Sequence, residues 1–496
     1  MIGEHFPVLI PVSLLVGAVV SVPLGLWRGS LSRLVALLAT GFSVVAAGVG
    51  LRHVLRAGEM RYSLGGWPPP IGIEYVADPL ALFVVLVVTG VGFAVTVYSK
   101  RSLERESPQN HVPFNAVALL FLAGLSGMVM TGDLFNLYVF LEIASLAAYA
   151  LVAAGEKRAP VAAFRYLVLG TVGASCYLLG VGFLYLATGS LNMADVRAIL
   201  PLLPHYRLPF IALCLMVIGL GLKMALFPLH VWLPDAYTYA SSVGSAYLAP
   251  VGTKVAAYAL MRVWFGVFGP VAYALPIGAM LVVASVAGIL VGSIMAMAQN
   301  DLKRMLAYSS VAQVGYIGLG IGLASPLGFI GAVLHILNHA VMKATLFLVS
   351  GALAYRFGTT SILPMDDRLR RAMPWTSAAF AVAALSMIGL PPTAGFFSKW
   401  YLALACLKAE SWPLVAVIAL SSLLNAVYFF RVLERMYLRK ASAEEGIPGP
   451  PASNPGEAPP SMLIPILILG LGVLLIGLAN AWIVEKVIKL AIPSGL

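Results

Sequence analysis

Apolar runs of about twenty residues alternate with short polar stretches along the whole chain. A helix needs about twenty apolar residues to cross the hydrocarbon of a bilayer, so such runs are typical of transmembrane helices. We predict fourteen spans, at 7–27, 33–51, 79–98, 113–130, 134–154, 162–188, 208–242, 245–268, 271–298, 304–323, 327–355, 374–408, 412–436 and 461–484. The predicted fold class is an all-α polytopic membrane protein.

Two of these runs, 208–242 and 374–408, are too long for one plain span. They contain the helix breakers Pro228, Pro234, Pro391 and Pro392. Irregular backbone at membrane depth is tolerated only where it is buried in protein or lines a watery cavity. Broken segments at matching places in two halves are typical of transporter sites. We therefore predict discontinuous helices 7 and 12 within two five-helix repeats, spans 4–8 and 9–13. Because five is odd, the second repeat starts on the opposite side and the repeats are inverted.

The pattern also predicts the organisation of the chain. Residues 56–79 contain Gly-Gly and Pro-Pro-Pro turn signals, and 72–77 could form a strand. Residues 441–461 contain six prolines and no apolar run, which is typical of a flexible linker. The predicted parts are three helices with an extracytoplasmic hairpin (1–112), the first repeat (113–268), the second, inverted repeat (269–440), a cytoplasmic linker (441–461) and a C-terminal helix (462–496).

The net charge of +11 is distributed unevenly between the loops. The odd-numbered loops carry sixteen basic residues, namely Arg28, Arg33, Lys100, Arg101, Arg105, Lys157, Arg158, Lys303, Arg304, Arg356, Arg368, Arg370, Arg371, Arg435, Arg439 and Lys440. The even-numbered loops carry six, namely Arg52, Arg56, Arg61, Arg197, Arg207 and Lys408. Basic loops stay in the cytoplasm, so we expect both termini to be extracytoplasmic in the inner (cytoplasmic) membrane. The basic charge therefore gives no reason to expect a nucleic-acid partner.

The sequence shows no motif for a cofactor or a nucleotide. Its three cysteines, Cys176, Cys214 and Cys406, lie far apart within apolar runs and lack the spacing of an iron–sulfur or zinc site. There is no G-x-G-x-x-G and no phosphate loop. We therefore expect no cofactor and no catalytic redox or nucleotide site in this chain, so any energy source must lie in a partner.

Several ionisable residues are predicted at membrane depth. They are Glu142, Lys223, Lys254, His335, His339, Lys343 and Lys399. A charge at mid-membrane costs about 2.5–3.5 kcal/mol on insertion scales, and such residues usually mark ion pathways. Two plainer explanations compete. Lys343 and Lys254 could extend to the interface, and a glutamate–lysine pair could be structural.

His335 and His339 share one helix face at i and i+4 and could form a metal pair. Their helix offers no third ligand, and Lys343 on the same face would repel a cation. We therefore expect no metal. A histidine titrates closest to physiological pH, so a proton relay is the preferred interpretation for His339.

The segment "LKMALFPLHVWLPDAY" (222–237) combines Lys223 with a proline-rich break, and with His230 and Asp235 as auxiliary groups. Burial lowers the pKa of a lysine in general, and a nearby carboxylate raises it again. A carboxylate 4 Å away contributes about 4 kcal/mol at an effective dielectric of 20. A partner that approaches and withdraws could thus load and unload a proton. We interpret Lys223 as a switchable proton carrier beside a hydrated break, with Glu142 as its partner.

Five blocks of the sequence resemble a known family. They are "TGDLFNLYVFLEIASLAAYALVA", "KMALFPLHVWLPDAY", "NDLKRMLAYSSVAQVGYI", "HILNHAVMKATLFLVSG" and "GLPPTAGFFSKW". They look like signature blocks of the antiporter-like, proton-conducting membrane subunits. That family includes the A-type and D-type subunits of Mrp cation/proton antiporters, three membrane-arm subunits of respiratory complex I and counterparts in membrane-bound hydrogenases.

The resemblance implies a role for each buried charge. Glu142 would be the glutamate of span 5, Lys223 the lysine of span 7 and Lys254 the relay lysine of span 8. His335 and His339 would be the histidines of span 11, and Lys399 the terminal lysine of span 12. Together they would form a hydrated axis at mid-membrane.

Which member of the family the chain resembles most is a further question. The short length, Lys399 rather than glutamate, and "TGDLFNLYVFLEI" favour the D-type subunit of an Mrp complex, a multi-subunit cation (Na⁺)/H⁺ antiporter. The alternative is a proton-pumping membrane subunit of a redox complex, either complex I-like or a hydrogenase. A third hypothesis, a structural spacer without transport, conflicts with the presence of every expected carrier. Lysine and histidine suit H⁺ better than Na⁺, so we expect any Na⁺ to pass through a partner.

Overall fold

The fold was determined as a computed structural model that describes residues 2–107, 109–273, 276–440, 456–493 and 495–496. From the N-terminus, the α-helices are α1 Ile2–Trp27, α2 Gly29–Ala57, α3 Pro79–Glu106, α4 His111–Met130, α5 Leu134–Ala153, α6 Ala159–Thr188, α7 Met193–Ile199, α8 Arg207–Met224, α9 Trp232–Tyr239, α10 Ser242–Tyr247, α11 Thr253–Met261, α12 Pro270–Tyr273, α13 Ile277–Met297, α14 Leu302–Gly322, α15 Pro326–Phe357, α16 Asp367–Ala372, α17 Pro374–Ile388, α18 Ala394–Lys408, α19 Trp412–Tyr437, α20 Pro460–Leu478 and α21 Asn480–Ile483. Two strands, β1 Met60–Ser63 and β2 Glu74–Ala77, form an antiparallel hairpin. Short π-helical segments occupy Leu248–Gly252, Arg262–Phe268 and Val484–Ile488, and 3-10 turns occupy Leu64–Gly66, Leu200–Leu202 and Lys489–Ala491.

The predicted membrane fold is confirmed. Eleven helices of the described chain are long and apolar enough to cross a bilayer. The other three predicted spans are also helical: α10 and α11 with the π segment between them, α14, and the pair α17 and α18. The predicted linker at 441–461 lies outside the described residues up to residue 455, and α20 begins at Pro460.

The helices of predicted spans 7 and 12 (208–242 and 374–408) are discontinuous, as predicted. In span 7, α8 ends at Met224, Ala225 adopts a left-handed conformation with φ 62°, and α9 begins only at Trp232. In span 12, α17 ends at Ile388 and α18 begins at Ala394. Each interruption leaves the last carbonyls of a helix without intrahelical partners, which side chains must then satisfy.

The two repeats use the same hydrogen bonds at opposite ends of the bundle. In the first, Leu134 N donates to Leu191 O at 2.9 Å and Met193 N donates to Gly132 O at 2.9 Å. In the second, Leu302 N donates to Thr360 O at 2.8 Å and Ile362 N donates to Asn300 O at 2.7 Å. An aspartate caps the following helix in both places, namely Asp133 before α5 and Asp301 before α14.

The bundle therefore has two distinct ends. We call the end that carries β1 and β2 the hairpin face. There Glu74 Oε1 accepts from Arg61 at 3.1 Å and from Asn192 at 2.7 Å, which joins the hairpin to the start of α7. We call the other end the basic face. There Glu106 at the end of α3 accepts from Ser242 N at 2.8 Å.

Helix α15 lies at the centre of the second repeat. Its most apolar stretch is buried throughout. It nevertheless carries three ionisable side chains at membrane depth, His335, His339 and Lys343. Small residues permit close packing: a Cβ at Gly320 of α14 would lie 2.5 Å from Gly328 O of α15. Histidine and lysine side chains on α15 are consequently enclosed by protein.

Candidate proton pathway

Lys223 lies at the last turn of α8, immediately before the first break, and is 7% exposed. Its Nζ donates to Ser145 Oγ at 2.7 Å and to Tyr149 Oη at 3.1 Å. It also lies 5.7 Å from the centre of the Tyr149 ring, within the range of a cation–π interaction. The ammonium group is thus held by neutral oxygens of α5.

Glu142 lies on the same stripe of α5, because positions i, i+3 and i+7 share a helix face. Its charge acts on Lys223, but among the described residues the two form no ion pair within 4.0 Å. Its Oε1 is buried and has no hydrogen-bond partner among the described protein atoms. In this structure Lys223 is therefore held by the two hydroxyls of this stripe and not by its carboxylate.

An aromatic stack holds the first break in place. Tyr149 packs edge-on against Tyr166 with ring centres 4.6 Å apart, and Tyr166 stacks on Trp232 at 3.9 Å. Trp232 Nε1 donates at 2.9 Å to Leu222 O, a carbonyl at the end of α8 that also accepts from Ala225 N at 3.1 Å. The residue next to Lys223 is thereby fixed to the helix that follows the break.

The remaining groups of this segment lie elsewhere. Pro228 lies inside the break, whereas Pro234 lies in the first turn of α9, where a proline costs no helical hydrogen bond. Pro228 and not Pro234 therefore interrupts the helix. His230 stacks on Phe227 with ring centres 5.3 Å apart. Asp235 forms ion pairs with two arginines of other helices, Arg165 at 3.2 Å and Arg304 at 3.3 Å, which indicates a structural role.

Lys254 is 1% exposed and lies in the first turn of α11. Its Nζ donates to Ala249 O at 2.6 Å and to Thr253 Oγ1 at 3.2 Å. Ala249 belongs to the π-helical segment that precedes α11. Lys254 does not extend to an interface, so its charge must be accommodated inside the bundle.

Lys254 lies within electrostatic range of two ionisable side chains of α15. His339 and Lys343 are both fully buried, and the charge of Lys254 acts on each of them. Lys343 Nζ donates to Leu306 O at 2.6 Å and also to Ser309 Oγ. His335 and His339 have ring centres 5.8 Å apart. Like charges this close repel in a weakly polar interior, so only some of these groups can carry a proton at once.

Lys399 lies in the first half of α18 and reaches back across the second break. Its Nζ donates to Met387 O at 2.9 Å and to Ile388 O at 3.0 Å, the last carbonyls of α17. A third bond goes to Ser422 Oγ at 3.2 Å. Pro391 and Pro392 lie within the break and are exposed. Lys399 thus caps the interrupted helix with its charge.

Lys399 connects to the histidines through Tyr316. The ammonium lies 5.2 Å from the centre of the Tyr316 ring, which lies 5.4 Å from the His335 ring. His335 Nδ1 shares a hydrogen bond of 2.9 Å with Ser398, the neighbour of Lys399. The second break and the centre of α15 are therefore in direct contact.

Several buried polar atoms on α14 and α15 have no hydrogen-bond partner among the described protein atoms. They are Gln313 Nε2 and Oε1, Tyr316 Oη, His335 Nε2, Asn338 Oδ1, and His339 Nδ1 and Nε2. Buried polar groups in proteins are nearly always hydrogen-bonded to protein or to water. These atoms therefore mark where the bundle has free hydrogen-bonding capacity in its interior. In the described part of the chain, no group of three His, Cys, Asp or Glu could hold a metal ion.

The structure thus brings Lys254, His335, His339 and Lys399 into one group, and Glu142 with Lys223 into another on the neighbouring helices α5 and α8. Ser145, Tyr149 and Tyr316, which contact the buried lysines, were not predicted from the sequence. A signal for the first two was present, because Glu142, Ser145 and Tyr149 are polar at helical spacing in an apolar run. Tyr316 gave no signal, since an aromatic residue in a buried helix is ordinary.

The chain is similar to known membrane proteins over most of its length. Residues 131–425 match the family model described as NADH:quinone oxidoreductase/Mrp antiporter, transmembrane. The N-type subunit of NADH-quinone oxidoreductase from Desulforudis audaxviator is 52% identical over 467 residues, which cover 92% of each chain. The D-type subunit of the Na(+)/H(+) antiporter from Bacillus subtilis is 31% identical over 455 residues, 91% of this chain and 90% of that one. A chain in the structure of the Mrp complex from Dietzia sp. DQ12-45-1b superposes with a TM-score of 0.88 at 25% identity, covering 99% of this chain and 97% of that one.

Proposed function

Because the chain belongs to the NADH:quinone oxidoreductase/Mrp antiporter family of membrane subunits, we propose that it translocates protons as an antiporter-like subunit of a multi-subunit membrane complex. The proposed carriers are Glu142, Lys223, Lys254, His335, His339 and Lys399. Lys343 is an auxiliary group. The neighbouring subunits supply the driving reaction or the second ion.

One observation carries the proposal: four lysines at the predicted membrane depth are buried, and none of them forms an ion pair among the described residues. Among the ion pairs of the described residues, none involves Lys223, Lys254, Lys343 or Lys399. A structural ion pair would need a carboxylate partner, and an uncompensated buried charge costs several kcal/mol. Lysines that hold a proton only for part of a cycle avoid most of that cost.

The cation that moves is proposed to be H⁺. The buried groups are mainly amines and imidazoles, which bind protons, whereas Na⁺ is a hard cation that prefers carboxylate and carbonyl oxygens. Any Na⁺ exchanged by the complex would then pass through a partner subunit. The loop charges support an orientation with the basic face in the cytoplasm and both termini outside.

Two host complexes remain candidates. A redox-driven complex is favoured by the relative from NADH-quinone oxidoreductase, whose identity of 52% exceeds the 31% of the relative from the Na(+)/H(+) antiporter. An Mrp-type antiporter, with this chain as its D-type subunit, is favoured by the likeness of the fold to the Mrp complex. Mass spectrometry of the purified complex separates them: iron–sulfur or quinone-site subunits indicate the first host, and small Mrp subunits the second.

The function is tested by Lys254→Met in the intact complex, reconstituted into vesicles. We expect proton pumping per assembled complex to be lost while the complex still assembles, because methionine keeps the volume of the side chain without its charge. The matched control is Lys408→Met, which changes an exposed lysine at the end of α18. Pumping at the wild-type rate in Lys254→Met would refute the proposed function.

A further inference from the structure

The helix face that carries Lys254 continues toward the hairpin face. Tyr258 and Arg262 follow Lys254 at i+4 and i+8, so the three share one side of α11 and the π segment after it. Tyr258 is 1% exposed, and its hydroxyl donates to Val129 O at 2.8 Å. The same hydroxyl accepts from Arg262 Nε at 2.6 Å. Tyr258 and Arg262 thus form a hydrogen-bonded pair on the helix face of Lys254, between that lysine and the hairpin face.

Arg262 also forms an ion pair with Asp78. Arg262 donates from its terminal nitrogen to Asp78 Oδ1 at 2.5 Å, with the side chains 22% and 15% exposed. Asp78 also accepts from Ala81 N at 2.8 Å as the N-cap of α3. The guanidinium lies over the Tyr258 ring at 5.1 Å. Arg262 is therefore held by two residues, Tyr258 and Asp78.

Two cavities on the hairpin face adjoin this pair. One of about 170 Å³ is lined by Tyr258, Arg262 and Asp78, and also by the exposed residues Glu59 and Arg61. A second of about 500 Å³ shares Asp78 and Arg262 in its lining. The ion pair therefore stands between open polar space on one side and the Lys254 face on the other.

We propose that Arg262, Asp78 and Tyr258 form a charged gate on a proton outlet that runs from Lys254 to the hairpin face. The proposal rests on the proposed function, because it assumes that Lys254 carries a proton. In the closed state, Arg262 is the barrier and neutralises Asp78. When the pair separates, water that enters past Tyr258 from the cavities accepts the proton from Lys254 Nζ, and Asp78 receives it from that water before it passes to the hairpin face.

The two members of the pair have opposite effects on a proton. A guanidinium keeps its charge at every physiological pH and cannot relay a proton. Eight residues at 1.5 Å rise place Arg262 about 12 Å along the helix from Lys254. At an effective dielectric of 20, an unneutralised charge at that distance disfavours a proton at Lys254 about tenfold. Removing the arginine therefore opens the path, and removing the aspartate closes it further.

The test measures passive proton flux in vesicles that contain the assembled complex, with no energy source and an imposed potassium diffusion potential. Arg262→Gln should leak several-fold faster than wild type. Asp78→Asn should stay tight and pump more slowly, by up to about tenfold from the unneutralised charge. Adding Lys254→Met to Arg262→Gln should abolish the leak. The matched control is Arg431→Gln, because among the described residues Arg431 of α19 donates to two backbone carbonyls on the basic face, Met297 O at 3.0 Å and Gln299 O.

Each result decides the question. A merely structural ion pair predicts that Arg262→Gln and Asp78→Asn behave alike, which would overturn the gate. A leak that persists without Lys254, or an assembled Arg262→Gln complex as tight as wild type, would also overturn it. If Arg262→Gln does not assemble, Tyr258→Phe removes one hydrogen bond from Arg262 and should leak to a smaller extent; a tight Tyr258→Phe complex then contradicts the gate. Pumping that survives Lys254→Met would instead refute the proposed function.

Discussion

Replacing Ser145 by alanine removes the closer of the two oxygens that hold Lys223. Lys223 Nζ lies 2.7 Å from Ser145 Oγ and 3.1 Å from Tyr149 Oη. A hydrogen bond to a charged group contributes about 1.5–3 kcal/mol, against about 0.5–1.5 kcal/mol for a neutral one. The protonated amine therefore loses about 1–1.5 kcal/mol more than the neutral amine. Since 1.36 kcal/mol corresponds to one pH unit, the pH at which pumping is fastest should fall by about one unit.

The size of the shift should depend on which acceptor is lost. Glu142→Gln removes a whole charge and should shift the maximum further to acid pH than Ser145→Ala does. Tyr149→Phe removes the longer bond but keeps the ring 5.7 Å from the ammonium, so its shift should be smaller. Lys223→Ala should be inactive at every pH. The double variant with Glu142→Gln should be no worse, because residues that act as one unit are not additive.

The assay is the initial rate of proton pumping per assembled complex, measured against pH in reconstituted vesicles. Tyr177→Phe is the matched control, since Tyr177 is a buried tyrosine that donates to Leu134 O at 3.0 Å and does not contact a lysine. A purely structural role for Glu142 and Lys223 predicts lower protein yield and an unchanged pH profile. Wild-type rates across the pH range in Glu142→Gln would refute the coupling between the carboxylate and the lysine.

Three further outcomes are expected. Lys399→Met should abolish pumping but permit assembly, whereas Lys408→Met on the same helix should pump normally; normal flux in Lys399→Met would exclude it as a carrier. Trp232→Phe removes one of the two donors to Leu222 O, which keeps its bond from Ala225 N at 3.1 Å, and should lower the free energy of unfolding by about 0.5–1.5 kcal/mol, seen as earlier thermal unfolding. An unchanged midpoint would contradict a stabilising role for the Trp232 bond. In right-side-out cells lacking other cysteines, an impermeant thiol reagent should label Glu410→Cys and not Lys157→Cys; the reverse pattern would invert the proposed topology.

The spans and their two breaks could be predicted from the sequence because the constraint is strong. Backbone polar groups in a bilayer must be satisfied internally, so long apolar runs become helices and prolines in them become interruptions. Pro234 shows the limit of that rule. A proline is tolerated in the first turn of a helix, where its nitrogen has no intrahelical bond to lose, and Pro234 lies in the first turn of α9. Only the start of α9 distinguishes Pro234 from Pro228.

The identity of the buried charges could also be predicted, but their partners could not. A buried lysine such as Lys223 predicts a carboxylate partner, and Glu142 is the acidic residue predicted at a similar depth. The observed acceptors are hydroxyls and backbone carbonyls. Every residue has a carbonyl, so the sequence contains no mark for the ones that face a lysine. Asp235 illustrates the converse, because its two arginine partners come from helices far away in the chain.

The choice of carbonyls over carboxylates bears directly on proton movement. Three of the buried lysines donate to backbone oxygens: Lys254 to Ala249, Lys343 to Leu306 and Lys399 to Met387 and Ile388. Carbonyls at a helix C-terminus, as at Met387 and Ile388, favour a cation by about 0.3–1 kcal/mol, whereas a carboxylate at 4 Å would contribute about 4 kcal/mol at an effective dielectric of 20. A carboxylate would therefore keep the proton on the lysine, whereas carbonyls stabilise the protonated lysine weakly enough for the proton to leave. Helix breaks supply such carbonyls without adding a charge. The irregular backbone at Lys254 and Lys399 therefore allows a lysine to be buried and still to bind and release its proton reversibly.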